Sequence, residues 1–176
     1  MSENTITSND IGYKGFVEIK VAKGKRIIKK VKVANYGTLN LFHGLAICLT
    51  QQYSNASSYL PNFLGVGTDN SIPEDFVKVN SLQKEILSRT QLTNATIRTN
   101  ELNIGQTNKS GYSVTFIGVF PFRKAITDNI KELGLFSTAS GDSMLARITL
   151  NEDEEITPRV GETLIIEWTM FIGNIE

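Results

Sequence analysis

Apolar and polar residues alternate with period two along much of this chain, the pattern of strands with one face in a core and one face in water. Phe16, Glu18 and Lys20 oppose Val17, Ile19 and Val21, Lys23-Gly24-Lys25 supplies a turn, and Ile27 to Val33 interleaves lysines with Ile28, Val31 and Val33. This reads as a β-hairpin. Lysine on a strand discourages edge-to-edge pairing, so the hairpin is expected at a sheet margin. From Tyr112 to Phe120, Tyr112, Val114, Phe116, Gly118 and Phe120 share one face while Ser113, Thr115, Ile117 and Val119 share the other. Three further β-rich runs, Ile126 to Phe136, Met144 to Leu150 and Leu164 to Ile172, follow in close succession. A Ser140-Gly141-Asp142 turn and an acidic loop divide them.

The period changes once. Asn35-Tyr36-Gly37-Thr38 breaks the strand pattern, Thr38 is suited to an N-cap, and Leu41, Phe42, Leu45, Ala46 and Leu49 form the apolar stripe of an amphipathic helix over 39–52. Leu60 to Val66 reads as a short strand before a turn from Gly67 to Pro73, where glycine is expected to supply positive φ. Leu82 to Leu87 reads as a helical turn or strand, and the Thr/Asn-rich Gln91 to Leu102 as an exposed strand. The fold class is therefore mainly β: an antiparallel, jelly-roll-like β-sandwich with one amphipathic helix. Residues 1–12 are expected to be an extended or disordered arm, and 13–176 a single domain.

Composition narrows the classes. No apolar run reaches the roughly 18 residues of a membrane span, and Met1 to Asp10 lacks the basic and apolar regions of a secretion signal. One cysteine, Cys48, rules out an internal disulfide framework and suits synthesis in a reducing cytoplasm. The net charge is zero but polarised: residues 1–33 carry +5 and residues 151–176 carry −6. That asymmetry suits neighbours within one chain or head-to-tail contact between copies, and equally two solvated faces that never meet. Lys25, Arg26, Lys29 and Lys30 at one end, with Glu152, Asp153, Glu154 and Glu155 at the other, are the candidate subunit contacts.

Candidate chemistry is sparse. His43, the sole histidine, has no His-x-x-x-His or Glu-x-x-His partner pattern, and no Gly-x-Ser-x-Gly elbow accompanies it. Cys48 lies among Ala46, Ile47 and Leu49, the setting of an inert core thiol. Gly65-Val66-Gly67-Thr68-Asp69 lacks the Gly-Lys-Ser/Thr ending of a phosphate-binding loop. The four adjacent acids 152–155 lack the spacing and glycine of a calcium loop. No cofactor, metal or small-molecule substrate is expected, and a neutral chain makes nucleic acid an unexpected partner for the basic hairpin. Two charges interrupt apolar runs, Glu132 before Leu133-Gly134-Leu135-Phe136 and Arg147 after Leu145-Ala146. A hairpin turning near Ser140-Gly141-Asp142 would bring them together as a buried pair.

Several short motifs carry a resemblance: Asn35-Tyr36-Gly37-Thr38 leading to Leu41-Phe42; Leu64-Gly65-Val66-Gly67-Thr68 and Pro73; Arg89; Val114 to Phe120; Ile130 to Phe136; Leu145-Ala146-Arg147; and Ile166-Glu167-Trp168-Thr169. In this order they resemble β-sandwich structural proteins of tailed-bacteriophage virions. The resemblance implies a non-enzymatic subunit, foremost a capsid decoration or cement protein located in the virion. Its partners would be the major capsid protein or portal and tail proteins, and copies of itself, with no membrane involved. A tail, collar or fibre adaptor is the alternative, and a carbohydrate-binding or carbohydrate-active sandwich domain a further one.

Overall fold

Nine strands account for the architecture of the computed structural model, which describes residues 11–37, 41, 43, 59–72, 78–93, 95–104 and 107–174. They are β1 (Ile11–Lys23), β2 (Arg26–Gly37), β3 (Phe63–Gly67), β4 (Thr90–Gln91), β5 (Ala95–Ile104), β6 (Thr107–Pro121), β7 (Glu132–Phe136), β8 (Met144–Thr149) and β9 (Glu162–Asn174). Every pairing is antiparallel, in the order β4-β3-β7-β8-β2-β1-β9-β6-β5. The continuity is slender at one point. Only Tyr36 and Gly37 of β2 pair with β8, opposite Arg147 and Ala146. The strands therefore divide into a large sheet, β2-β1-β9-β6-β5, and a small one, β4-β3-β7-β8.

One core serves both. Val17, Ile19, Leu164, Ile166 and Trp168 from the large sheet join Leu64, Val66, Leu133, Leu135 and Ile148 from the small one. A methyl group added at Gly118 of β6 would overlap the Leu64 side chain of β3, so the absence of a Cβ lets the two layers close at that point. The alternation along β1 and β9 explains the burial: odd positions of β1 and even positions of β9 point inward, as period two requires.

The small sheet is buried on both faces, which its sequence disguises. All five residues of β7 are buried. Leu133 and Leu135 face the main core, while Phe136 joins Met144 and Leu82 in a second cluster. Glu132, Gly134 and Phe136 share that second face. Gly134 leaves the space in which Phe136 and Met144 meet, since a methyl there would press on both.

Two register shifts interrupt the strand ladders. Val21 pairs with Lys29 but Ala22 with Ile27, so Ile28 is an extra residue bulging from β2. Leu135 pairs with Ala146 but Phe136 with Met144, which leaves Leu145 as the bulge in β8. At the hairpin tip Gly24 adopts φ of 60°, within the region glycine enters freely.

Several expectations need correction. Asn35-Tyr36-Gly37 does not break the strand: β2 continues through Gly37 because Asn35 lies over Gly15, where a Cβ would collide with the Asn35 amide. Ile11 and Gly12 begin β1, paired with Asn174 and Gly173. Residues 1–10 lie outside the described residues. Leu82–Leu87 is neither helical turn nor strand; it contributes one bridge, Glu85 to Gly67. The helix expected over 39–52 lies outside the described residues except Leu41 and His43, both helical. Leu41 reaches the main core. The margin expected of the hairpin applies to β2 alone, whose residues before Tyr36 pair only with β1; β1 itself lies between β2 and β9.

Candidate functional site

The residues with the strongest chemistry converge on the second face of the small sheet. Glu132 and Arg147 sit on neighbouring strands, on the same side because Arg147 is opposite Gly134, two residues from Glu132. Both side chains are fully buried. Arg147 donates from Nε and Nη2 to Glu132 Oε2 at 2.9 and 2.8 Å. The Glu132 carboxylate also accepts the Lys84 backbone N–H at Oε1 (2.9 Å) and the Gln83 N–H at Oε2 (3.2 Å). Arg147 Nη1 donates to the Ser71 carbonyl (3.0 Å) and Nη2 to the Asp69 carbonyl (3.3 Å).

Two charges removed from water are costly unless their hydrogen-bonding capacity is met, and here backbone groups complete the set. The chemical consequence is mechanical. One ion pair ties the segments carrying Asp69–Ser71 and Gln83–Lys84 to the floor of β7 and β8. Gly67 belongs to the same knot. A methyl there would overlap Glu132 Oε1 and the Lys84 carbonyl, and neither Gly65 nor Gly67 has positive φ. The glycines thus serve close approach rather than the left-handed backbone expected of them. Asp69 Oδ1 accepts the Ser71 N–H, the bond that chiefly holds its carboxyl below the usual range.

A second arginine repeats the theme. Arg89 pairs with Glu85 through Nε–Oε1 at 2.9 Å and Nη2–Oε2 at 3.1 Å, and donates from Nη1 to the Thr138 carbonyl at 3.1 Å. Its guanidinium lies 3.4 Å from the centroid of the Phe136 ring. This stack combines cation–π attraction with cover for an aromatic face. Sequence reasoning gave Arg89 no role. The available signal was the Glu85-x-x-x-Arg89 spacing, which reads as a helical pair in a segment that is not a helix.

The charged ends of the chain meet within one molecule. The bulge at Ile28 places Lys29 opposite core-facing Val21 and directs its ammonium to the carbonyls of Asp153 (3.1 Å) and Glu155 (2.7 Å). Glu155 accepts from Asn129 at 2.9 Å and pairs with Lys131 at 3.1 Å; these contacts, Asn129 first, lower its pKa. Glu154 accepts the Asn151 N–H. Lys30 and Lys20 both pair with Glu18 at 2.8 Å, which lowers the Glu18 pKa, Lys20 acting most. Lys20 is raised in turn, by Glu167 above all. Lys25, Arg26, Glu152 and Asp153 keep exposed side chains.

Acid sensitivity follows from the two lowered glutamates, Glu18 and Glu155. Their folded-state pKa values lie below the unfolded value of about 4.3, so their stabilisation is complete above that pH and is lost as pH falls through the lowered values. Thermal melts from pH 7 to 3 should show Tm falling on the acid side, with a shallower fall in Glu18→Gln and Glu155→Gln. Acid limbs that superimpose on wild type would contradict these assignments.

A polar cleft of about 390 Å³ is lined by Thr68, Lys84, Thr127, Asp128, Asn129 and Lys131. Lys84 approaches Asp128 at 3.5 Å across it. The His43 and Tyr59 rings meet tilted by 55°, 4.9 Å between centroids, and Cys48 lies outside the described residues. Among the described residues no group of three His, Cys, Asp or Glu side chains is placed to share a metal ion, and no helix is long and apolar enough to cross a membrane. No known protein family, curated protein or solved structure matches the chain.

Proposed function

We propose that this chain is a non-enzymatic structural subunit of a bacteriophage virion, a capsid decoration or cement protein whose two facing sheets form a jelly-roll-like sandwich. The observation that carries the reading is where the strongest ionisable groups are spent. Glu132, Arg147 and Lys29 each hold a loop against a sheet, and Arg89, paired with Glu85 of its own loop, lies over the Phe136 ring of β7. Such stapling suits a rigid body that transmits contact through its surface. Partners on this reading are the major capsid protein and further copies of the chain. The motif order resembling phage virion proteins supports the same assignment.

The test is location. A reconstruction of the particle should show this subunit in many symmetric copies on the head. A ring of few copies at the neck or tail would instead establish the adaptor role, and absence from the particle would refute both. Removing residues 1–10 is expected to leave the Tm unchanged while lowering occupancy on particles. Full occupancy after truncation would exclude a role for that segment. The polar cleft beside Lys84 and Asp128 favours a carbohydrate-binding reading as the alternative from another class, and glycan-array binding by the purified chain decides it.

A further inference from the structure

We propose that the hairpin end of the large sheet is a self-complementary face through which two copies of this chain associate about a two-fold axis. The proposal rests on reading the chain as an assembly subunit and names the surface and its partner.

Most cations described above are already committed: Lys20, Lys30, Lys84, Arg89, Lys131 and Arg147 sit in ion pairs, and Lys29 is bound to carbonyls. Six others, Lys23, Lys25, Arg26, Arg123, Lys124 and Arg159, are exposed and have no ion pair among the described residues. The topology gathers these six. Lys23 pairs in register with Arg26 and with Glu162, while Pro121 pairs with Thr163. The Gly161 N–H donates to the Phe122 carbonyl, and the Glu162 N–H to the Arg159 carbonyl. The ends of four adjacent strands thus place six free cations along one margin, across about 15 Å at ordinary strand spacing.

The acidic loop borders the same margin. Lys29, three residues along β2 from Arg26, holds the Asp153 and Glu155 carbonyls, which leaves Glu152 and Asp153 exposed beside the basic row. Positive and negative groups therefore lie side by side on one end of the molecule. A head-to-tail contact would need them at opposite ends. A two-fold axis through this end sets the basic row of each copy against the acidic loop of the other, satisfying both halves at once. Exposed Ile27, Ile28 and Val160 (46%, 47% and 59%) lie at the same end and supply an apolar centre.

Sedimentation velocity over a concentration series tests this on the full chain. Self-association should be measurable at about 50 mM salt and weaken at least tenfold at about 500 mM, where the Debye length is several-fold shorter. Glu152→Lys with Asp153→Lys should abolish it, as should Lys25→Glu with Arg26→Glu; all four residues are exposed, and unchanged Tm values would show both variants folded. Mixing the two variants should restore a dimer of one of each, because their reversed charges complement. A chain monomeric at both salt concentrations, or a mixture that stays monomeric, overturns the proposal. So does a basic row that binds heparin with steep salt dependence while the chain remains monomeric. Monomeric chain that still decorates particles would overturn the two-fold face alone; a salt-sensitive dimer absent from particles would support the face and refute the virion reading.

Discussion

Glu132→Ala lowers the melting temperature by roughly 10 °C, the shift expected when about 3–5 kcal/mol is lost from a chain of this size. The substitution removes the acceptor of four hydrogen bonds and leaves Arg147 fully buried with only two carbonyl partners. An exposed control, Glu152→Ala, should stay within about 0.5 kcal/mol of wild type. Equal melting temperatures for the two would refute a structural role for the pair. Replacing both partners by Met and Leu is expected to recover much of the loss, since the main penalty is an orphaned charge rather than a missing attraction. Even so, the amides of Gln83 and Lys84 would lose their acceptor. Amide hydrogen exchange should therefore quicken at these two positions in the double variant even where global stability returns.

Trp168→Ala is expected to cost a comparable 3–5 kcal/mol, roughly the upper range for emptying a core site. Trp168 is fully buried at the centre of β9, opposite Val17 on one side and Phe116 on the other. Its indole Nε1 has no hydrogen-bond partner among the described residues. The ring therefore acts through volume alone, and Trp168→Phe should cost well under half as much as Trp168→Ala, because it also removes a buried, unsatisfied N–H. Urea titration separates the three proteins by midpoint. A Phe variant as unstable as the Ala variant would show that the indole N–H is engaged. As the only tryptophan, Trp168 also reports its own burial. Wild-type emission should be blue-shifted and move to the red in a single step with the loss of far-ultraviolet β signal.

The arrangement connects the two predictions. Trp168 anchors the face of the large sheet that meets the small one, and the Glu132–Arg147 pair anchors the small sheet's other face to the segments crossing it. Three layers are thereby joined by one apolar and one ionic contact. Gly67→Ala tests the second join more finely. Its added methyl would push against the Lys84 carbonyl as well as Glu132, and a backbone atom yields less readily than a flexible side chain. A loss of about 1–3 kcal/mol in chemical denaturation is expected; a neutral result would show that the crossing segment can shift.

Much of this architecture was legible before any coordinates. The period-two run marks β1 because it buries Val17, Ile19 and Val21 and leaves the opposite face wetter, whereas in β6 the pattern fails at one end, where Tyr112 is exposed and Ser113 buried. Glu132 and Arg147 could be singled out because a charge inside an apolar run has few explanations other than a partner. What the charges hold could not be read, since their other partners are backbone carbonyls and amides of Asp69, Ser71, Gln83 and Lys84, and every residue carries those groups. The destination of Lys29 was equally hidden: one bulged residue at Ile28 fixes which face it takes, and no composition signal marks the bulge. The bond between β2 and β8, two residues long, and the meeting of the basic hairpin with the acidic loop are long-range contacts set by chain topology. Residue pattern marks most of the strands and the faces that seek a core, but not where β2 ends or what 82–87 forms. Which loops cross those faces and which charges stay free depends on register and crossover, which no local pattern encodes.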